Sequence, residues 1–351
     1  MKVPDRMHTI ANLIDQAHEA RVEKPRPHMG ASTLGHPCER WLWLSFRWAV
    51  QPRFSGRVLR LFRRGQMEEA TIVSDLRAIG MDIRSTGSSQ SRVDFGCHVS
   101  GSIDGIIETG VPDAPAKRHI AEFKTHSRKS FDNLVKNGVE KSKPMHYVQM
   151  QIYMAGKEID RALYFAVCKD DDSIYTERVR YDKAIAEKAI ERGKRIALDD
   201  RMPPPLSTDP SWYQCKWCDA AAFCHTTRLT QHANCRTCTH STPLPDSTWR
   251  CERYQADGIP LEHQRTGCEC HVLHPDLVPW QLDADLSTAT DAAWRIERDG
   301  VTHIVRNGEP DARVYASSEI LADLNAIIAL SDDGGVTAIR TQMGGRIISA
   351  T

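Results

Sequence analysis

Two acids, a lysine and a glutamine–tyrosine pair are the residues of this chain best placed to do chemistry. Glu122-Phe123-Lys124 lies in a run of strand-forming residues, where a period of two puts Glu122 and Lys124 on one face and Phe123 on the other. Asp104 ends a preceding strand-like run, His98 to Gly105, whose glycines at 101 and 105 let other groups approach closely. Two carboxylates can hold Mg2+ or Mn2+ through oxygen. Such an ion lowers the pKa of a bound water and neutralises charge on a phosphate under attack. Lys124 can orient that water or stabilise the negative charge that develops. Gln149 and Tyr153 stand four residues apart in a helical stretch and so share a face, where an amide and a phenol can support the same centre. On an earlier helix, Glu69 falls within the apolar stripe of Ile72, Val73, Leu76 and Ile79, whereas Glu68 falls outside it. An inward acid needs a partner or a metal, so Glu69 is expected as a further metal ligand.

Cysteines form a second body of chemistry. The chain holds 11 of them and no export signal, a combination that points to metal rather than disulfides. Cys38 stands alone and early, and Cys215-x2-Cys218-x5-Cys224 follows the Pro203-Pro204-Pro205 break. These four can bind Zn2+ or an iron–sulfur cluster, and their spacing alone does not choose. Cys235-x2-Cys238, Cys251 and Cys268-x-Cys270-His271 read as a Zn2+ site. Its expected ligands are Cys235, Cys238, Cys251 and Cys268, with Cys270 or His271 as substitutes. Cys97 and Cys168 lie in apolar strand-like stretches and are expected as buried core residues.

The elements that must position these groups are legible in outline. Helical patterning runs from about Leu59 to Ile79, from 144 to 156 and from Asp182 to Asp199. Strand patterning covers Val93 to Val99, Gly101 to Glu108, His119 to Thr125, Ala162 to Lys169 and Ser173 to Tyr181, with a hairpin turn at Gly110 to Ala116. This order suits an α/β core. With 351 residues, 26% charged and 40% hydrophobic, the chain has the composition of a globular protein with no membrane span. Met1 to Ala20 reads as a polar amphipathic helix with Ile10, Leu13 and Ile14 on one side, unlike a signal peptide, so the cytoplasm is the expected location. Net charge is zero, but the stretch from Lys117 to Lys143 carries a local +5. Arg57, Arg60, Arg63 and Arg64 add a second basic stretch, and residues 281–351 carry −5. Basic stretches beside a metal site suit phosphate.

The order Gly65…Glu69, Asp104, Glu122-x-Lys124, Gln149-x3-Tyr153 resembles the PD-(D/E)XK nuclease superfamily. Within it the chain is most similar to the RecB/AddB-like exonucleases, which include CRISPR-adaptation exonucleases and phage-encoded relatives. The glutamine-x3-tyrosine element and the one-early, three-late cysteine pattern carry that likeness. The resemblance spans residues 30 to 230 and implies Mg2+- or Mn2+-dependent hydrolysis of DNA phosphodiester bonds, most often from an end. It implies Asp104 and Glu122 as metal ligands, Lys124 as the catalytic lysine, and Gln149 and Tyr153 as active-site support. It also implies a [4Fe-4S] cluster on Cys38, Cys215, Cys218 and Cys224 that clamps the nuclease domain. One departure is Gln66, which follows Gly65 where many relatives have histidine.

The expected architecture is therefore α/β, with a restriction-endonuclease-like core whose central mixed sheet is flanked by helices, over residues 1–230. A zinc knuckle over 231–280 and a small acidic α+β unit over 281–351 complete it. The expected function is a DNA exonuclease serving phage recombination, repair or end processing on linear DNA, with a recombination protein as a further partner. Two rivals stand beside it. One is a catalytically inactive nuclease-fold factor that binds nucleic acid or protein. The other is an iron–sulfur oxidoreductase, against which stand the lack of GxGxxG and of a ferredoxin C-x2-C-x2-C run.

Overall fold

The structure, a computed structural model, describes residues 9–21, 24–311 and 313–331. It is a mixed α/β arrangement of several sheets flanked by helices. In chain order the first half runs α1 (Ile10–Glu19), β1 (Met29–Gly30), α2 (Glu39–Phe46), α3 (Gly56–Ala78), β2 (Asp82–Arg84), β3 (Arg92–Asp94), β4 (Val99–Ser102), β5 (Gly105–Thr109) and β6 (His119–His126). Then come α4 (Arg128–Ser142), α5 (Pro144–Lys157), β7 (Arg161–Cys168), β8 (Ile174–Arg180), α6 (Lys183–Leu198) and α7 (Tyr213–Lys216). The remainder is β9 (Ser241–Pro243), β10 (Trp249–Cys251), α8 (Leu261–Thr266), β11 (Gln281–Asp283), β12 (Asp291–Arg298), β13 (Val301–Gly308), β14 (Val314–Tyr315), α9 (Ser317–Ala322) and α10 (Leu324–Ser331).

Two compact units result. One comprises Met1–Pro37 with Arg53–Arg195, the other Cys38–Pro52 with Ile196–Thr351. The sequence reading put boundaries at 230 and 280 instead. The difference has a physical cause: Trp43, Phe46 and Trp48, in and just after α2, bury their rings against residues of the later segment, such as Trp249 and Arg236. Likewise Val272, Leu273 and Val278 share one core with Trp294, Val305 and Ile320, so the cysteine-rich stretch and the C-terminal sheet do not separate at 280. Residues 332–351 of the expected C-terminal unit, and the first eight of the expected N-terminal helix, lie outside the described residues.

In the first unit the central sheet is five-stranded, in the order β2-β5-β6-β7-β8. β6 and β7 are parallel and the other pairs antiparallel, which makes the sheet mixed. Against it, α3 lays the stripe of Ile72, Val73 and Leu76, in one core with Ile83, Ile107, Phe123 and Phe165. α3 ends where Gly80 takes φ +87°, a left-handed turn that favours glycine. α5 begins with Pro144, whose missing N–H would have had no helical partner, and ends at the left-handed Glu158.

A second, three-stranded sheet, β1-β4-β3, holds the chain before Asp104. The strand expected over Val93 to Val99 is broken by a turn in which Cys97 and His98 take φ of 47° and 64°. Cys97 is therefore half-exposed rather than a core residue, whereas Cys168 is buried in β7 as expected. No helix among the described residues is long and apolar enough to cross a membrane.

Candidate active site

The site is built on β6. One face of that strand sends Ala121 and Phe123 into the core, with Phe123 meeting the Phe165 ring edge-on at 6.3 Å. By strand alternation the other face carries Glu122, Lys124 and His126. The β5–β6 ladder ends at the Gly105–Ala121 pair. There the chain bends between β4 and β5, and Asp104 Oδ2 accepts the Phe123 N–H at 2.9 Å. Asp104 thus extends the ladder by one bond and is held beside Glu122 and Lys124.

Lys124 Nζ donates to Glu122 Oε1, lies 3.9 Å from Asp104 Oδ2, and donates to the Phe123 carbonyl at 3.1 Å. Glu122 is fully buried, and its other oxygen, Oε2, has no hydrogen-bond partner. Burial is the main reason its carboxyl is pushed up to about 8; Asp104 and Glu69 add to the rise and Lys124 opposes it. Burial also works against the charge on Lys124, but Glu122, Asp104 and Glu69 outweigh it and hold the ammonium above its ordinary value. Glu69 is shifted upward by burial and then by Asp104, which puts it in the same field. Asp104, Glu122 and Lys124 are therefore brought together from the β4–β5 bend and β6, and Glu69 on α3 feels their charge.

On α5, Gln149 and Tyr153 are both buried, and the Gln149 amide donates to Tyr153 Oη at 3.2 Å. Burial, then Glu122, raises the phenol's pKa. The tyrosine fits only because residue 101 is glycine: a Cβ there would lie 2.8 Å from the Tyr153 ring and 2.8 Å from Ala31 Cβ. Gly101 was legible in the sequence as a point of close approach, and Tyr153 is what approaches it.

Sequence reasoning missed a neighbouring cluster. Tyr164 on β7 is the cross-strand partner of Glu122, and its Oη lies 2.9 Å from both His126 Nε2 and His146 Nδ1. His126 Nδ1 meets Ser130 Oγ at 3.2 Å. Burial, helped by Lys143, Lys124 and Lys169, lowers His126 to about 4. Burial, with Lys124, His126 and Lys143, lowers His146 to about 3, so both rings are neutral at pH 7. The available signal was position: His126 lies two residues beyond Lys124, and His146 three before Gln149.

The basic stretch on α3 turns elsewhere. Arg57, Arg60, Arg63 and Arg64 line a cleft of about 510 Å³. They lie roughly 120° or more around the helix from Glu69. Arg60 pairs with Asp15, and Arg64 donates to the Lys169 carbonyl at 3.0 Å.

All the expected cysteine ligands fall in the second unit. Cys38, Cys215, Cys218 and Cys224 line one small cavity of about 20 Å³, walled also by Trp41, Leu206 and Ala221. Cys38 caps α2, its Sγ accepting the Trp41 N–H at 3.4 Å. Burial pushes Cys218 up to about 11 and also raises Cys224. In the other group burial raises Cys235 to about 12 and Cys238 to about 11, and Cys251 and Cys268 contribute to both shifts. Cys238 Sγ accepts the Val272 N–H at 3.5 Å.

Among the described residues no disulfide joins these cysteines, and no group of three or more His, Cys, Asp or Glu closes into a metal cage. His271 is removed from the candidates for the second site. It is buried, with Nδ1 at 2.7 Å from Ser317 Oγ and Nε2 at 3.0 Å from the Asn234 carbonyl, so both ring nitrogens are engaged. Cys270 Sγ accepts the Tyr254 hydroxyl at 3.0 Å.

No family model matches the chain, and no curated protein matches it. Among solved structures it is similar to a protein called SSO0001, with 14% identity, a TM-score of 0.38, and coverage of 62% of this chain and 97% of that one. An alkaline exonuclease from Laribacter hongkongensis gives 16% identity and a TM-score of 0.34, over 52% of this chain and 90% of that one. A phage-related exonuclease from Haemophilus somnus gives 21% and 0.28, over 38% of this chain and 66% of that one. Likenesses with TM-scores this low carry nothing over to this chain.

Proposed function

We propose that the protein is a divalent-metal-dependent deoxyribonuclease that hydrolyses linear DNA from an end, on a PD-(D/E)XK core of the RecB/AddB-like branch. The observation that carries this reading is Glu122, a fully buried carboxylate bonded on one oxygen to Lys124 and bare on the other. A buried acid with an orphaned oxygen is costly unless something binds there. Asp104, with one oxygen engaged by Phe123, and Glu69, in the same electrostatic field, offer further oxygen donors of the kind a hard cation takes, although among the described residues no three acids close into a cage.

Asp104, Glu122 and Glu69 would hold Mg2+ or Mn2+, which supplies an activated water and neutralises phosphate charge. The chain's own groups would act around it. Lys124 keeps its proton and would stabilise the charge that grows on the phosphate. Gln149, whose amide donates to Tyr153, would support the same centre.

Cleavage of end-labelled linear and closed-circular DNA by wild type and Lys124→Ala tests the proposal. Loss of linear DNA with wild type alone supports it; cutting of circles makes it an endonuclease. No cutting by metal-loaded wild type favours the catalytically inactive binding factor.

The same proposal assigns a [4Fe-4S] cluster to Cys38, Cys215, Cys218 and Cys224, supported by the one cavity these thiols line. It assigns Zn2+ to Cys235, Cys238, Cys251 and Cys268, supported by their mutual influence and by the absence of any disulfide. Both are architectural. Anaerobically purified protein should be brown, and a colourless zinc-only protein removes the cluster. Unchanged zinc in Cys235→Ser removes the second site. Work on DNA ends in the cytoplasm, in phage recombination or repair beside a recombination protein, is the setting this activity fits.

A further inference from the structure

The His126–Tyr164–His146 cluster is not used by the reading above, yet it adjoins the site. Its hydrogen bonds form one chain: Ser130 Oγ to His126 Nδ1, His126 Nε2 to Tyr164 Oη, Tyr164 Oη to His146 Nδ1. The far end, His146 Nε2, makes no hydrogen bond among the described residues, and His146 is only partly buried. The charged groups acting on the two rings are Lys124, Lys143 and Lys169, all cationic. Lys143 Nζ is tied to the Ser130 carbonyl at 3.1 Å, which places it beside the start of the chain. A partly buried imidazole in a lysine field is a place for an anion.

We propose that His146 touches substrate: its Nε2–H binds a backbone phosphate next to the one being cut. The inference rests on the nuclease reading for the identity of the strand. The chain of hydrogen bonds can run in two directions. With Ser130 donating first, every acceptor along it is filled and His146 Nε2 carries hydrogen. Reversed, Nε2 is a bare acceptor that repels phosphate oxygen. A bound phosphate selects the first direction, and Tyr164 relays the choice to His146. His126 and Tyr164 are positioning residues that act through His146.

The test is binding of fluorescent DNA with Ca2+ in place of Mg2+, so that the contact is read whether or not the protein cuts. Oligonucleotides carrying a single methylphosphonate, which lacks the phosphate charge, are scanned position by position. We expect one position near the labelled end to weaken wild-type binding about tenfold. His146→Ala should bind unmodified DNA about tenfold more weakly and be indifferent to that methylphosphonate. His146→Gln, which keeps an N–H donor, should recover part of the loss, and it serves if the alanine variant does not fold. Tyr164→Phe should fall between. Equal sensitivity of wild type and both His146 variants at every position overturns the contact. Failure of wild type to cut, with this pattern intact, would overturn the nuclease reading alone.

Discussion

Buried charge is handled in opposite ways in the two units. In the first, Glu122 is sealed in the sheet with one oxygen unanswered, and its pKa is driven up to about 8, chiefly by burial. In the second, Arg236 is 1% exposed and its guanidinium lies 3.9 Å from the Trp48 ring centroid and 4.8 Å from that of Trp249. Arg236 also donates to Gln264 Oε1 at 3.0 and 2.9 Å and to the Phe46 carbonyl at 2.9 Å. Its neighbour Arg47 reaches Asp200 at 3.1 Å and stacks over Trp43, though its Nε has no partner. Burial lowers Arg236 to about 9, but aromatic faces and hydrogen bonds surround the charge. Arg236, held between rings and hydrogen bonds, is scaffold; the bare oxygen of Glu122 is a place where something else belongs.

Substitutions can break that contrast. Asp104→Asn should lower cleavage on the order of 10³-fold. Its remaining amide oxygen can still take the Phe123 N–H, so urea unfolding should stay unchanged; a stability loss as large as the activity loss would make Asp104 scaffold. Arg236→Met should destabilise by about 3–5 kcal/mol, because Gln264 and the Phe46 carbonyl are left unanswered. Denaturation followed by tryptophan fluorescence measures this, and a change under about 1 kcal/mol would erase the distinction.

Glu122→Gln should do the reverse, ending cleavage while stabilising metal-free protein at pH 8 by about 1–3 kcal/mol. The sign follows from linkage. Unfolded, this carboxyl loses its proton near the ordinary 4.5, and folded it keeps it to about 8. Stability from this group therefore falls as pH rises through that window, and the glutamine variant should flatten the slope. Smallest, Gly101→Ala should cost about 1 kcal/mol and several-fold in activity, as the new methyl presses on Tyr153 and Ala31.

What the sequence made legible was local. Alternation in β6 separated Phe123 from Glu122 and Lys124, and helical spacing joined Gln149 to Tyr153. The stripe on α3 set Glu69 apart from Glu68, and burial and then Asp104 raise Glu69. Pairings between distant segments were not legible. Tyr164 looked like one more apolar strand residue until the parallel register set it opposite Glu122. The break at Cys97 and His98 depends on left-handed backbone at two residues that ordinarily avoid it. α4 went unread because its apolar positions, Phe131, Leu134 and Val139, are interrupted at Gly138. The apolar stretch around Ile320 forms two helices, α9 and α10, parted at Asp323.

The place of α2 in the second unit bears on how the chain is made. Trp43 bonds to the Asp199 carbonyl 156 residues on, and Arg47 to the Arg236 carbonyl 189 residues on. At roughly 5–20 residues per second, α2 leaves the ribosome on the order of ten to thirty seconds before its partners exist. The whole five-stranded sheet of the first unit is synthesised in that interval. Trp43, Phe46 and Trp48 must wait unburied meanwhile, a window in which a chaperone would find an aromatic, apolar segment to hold.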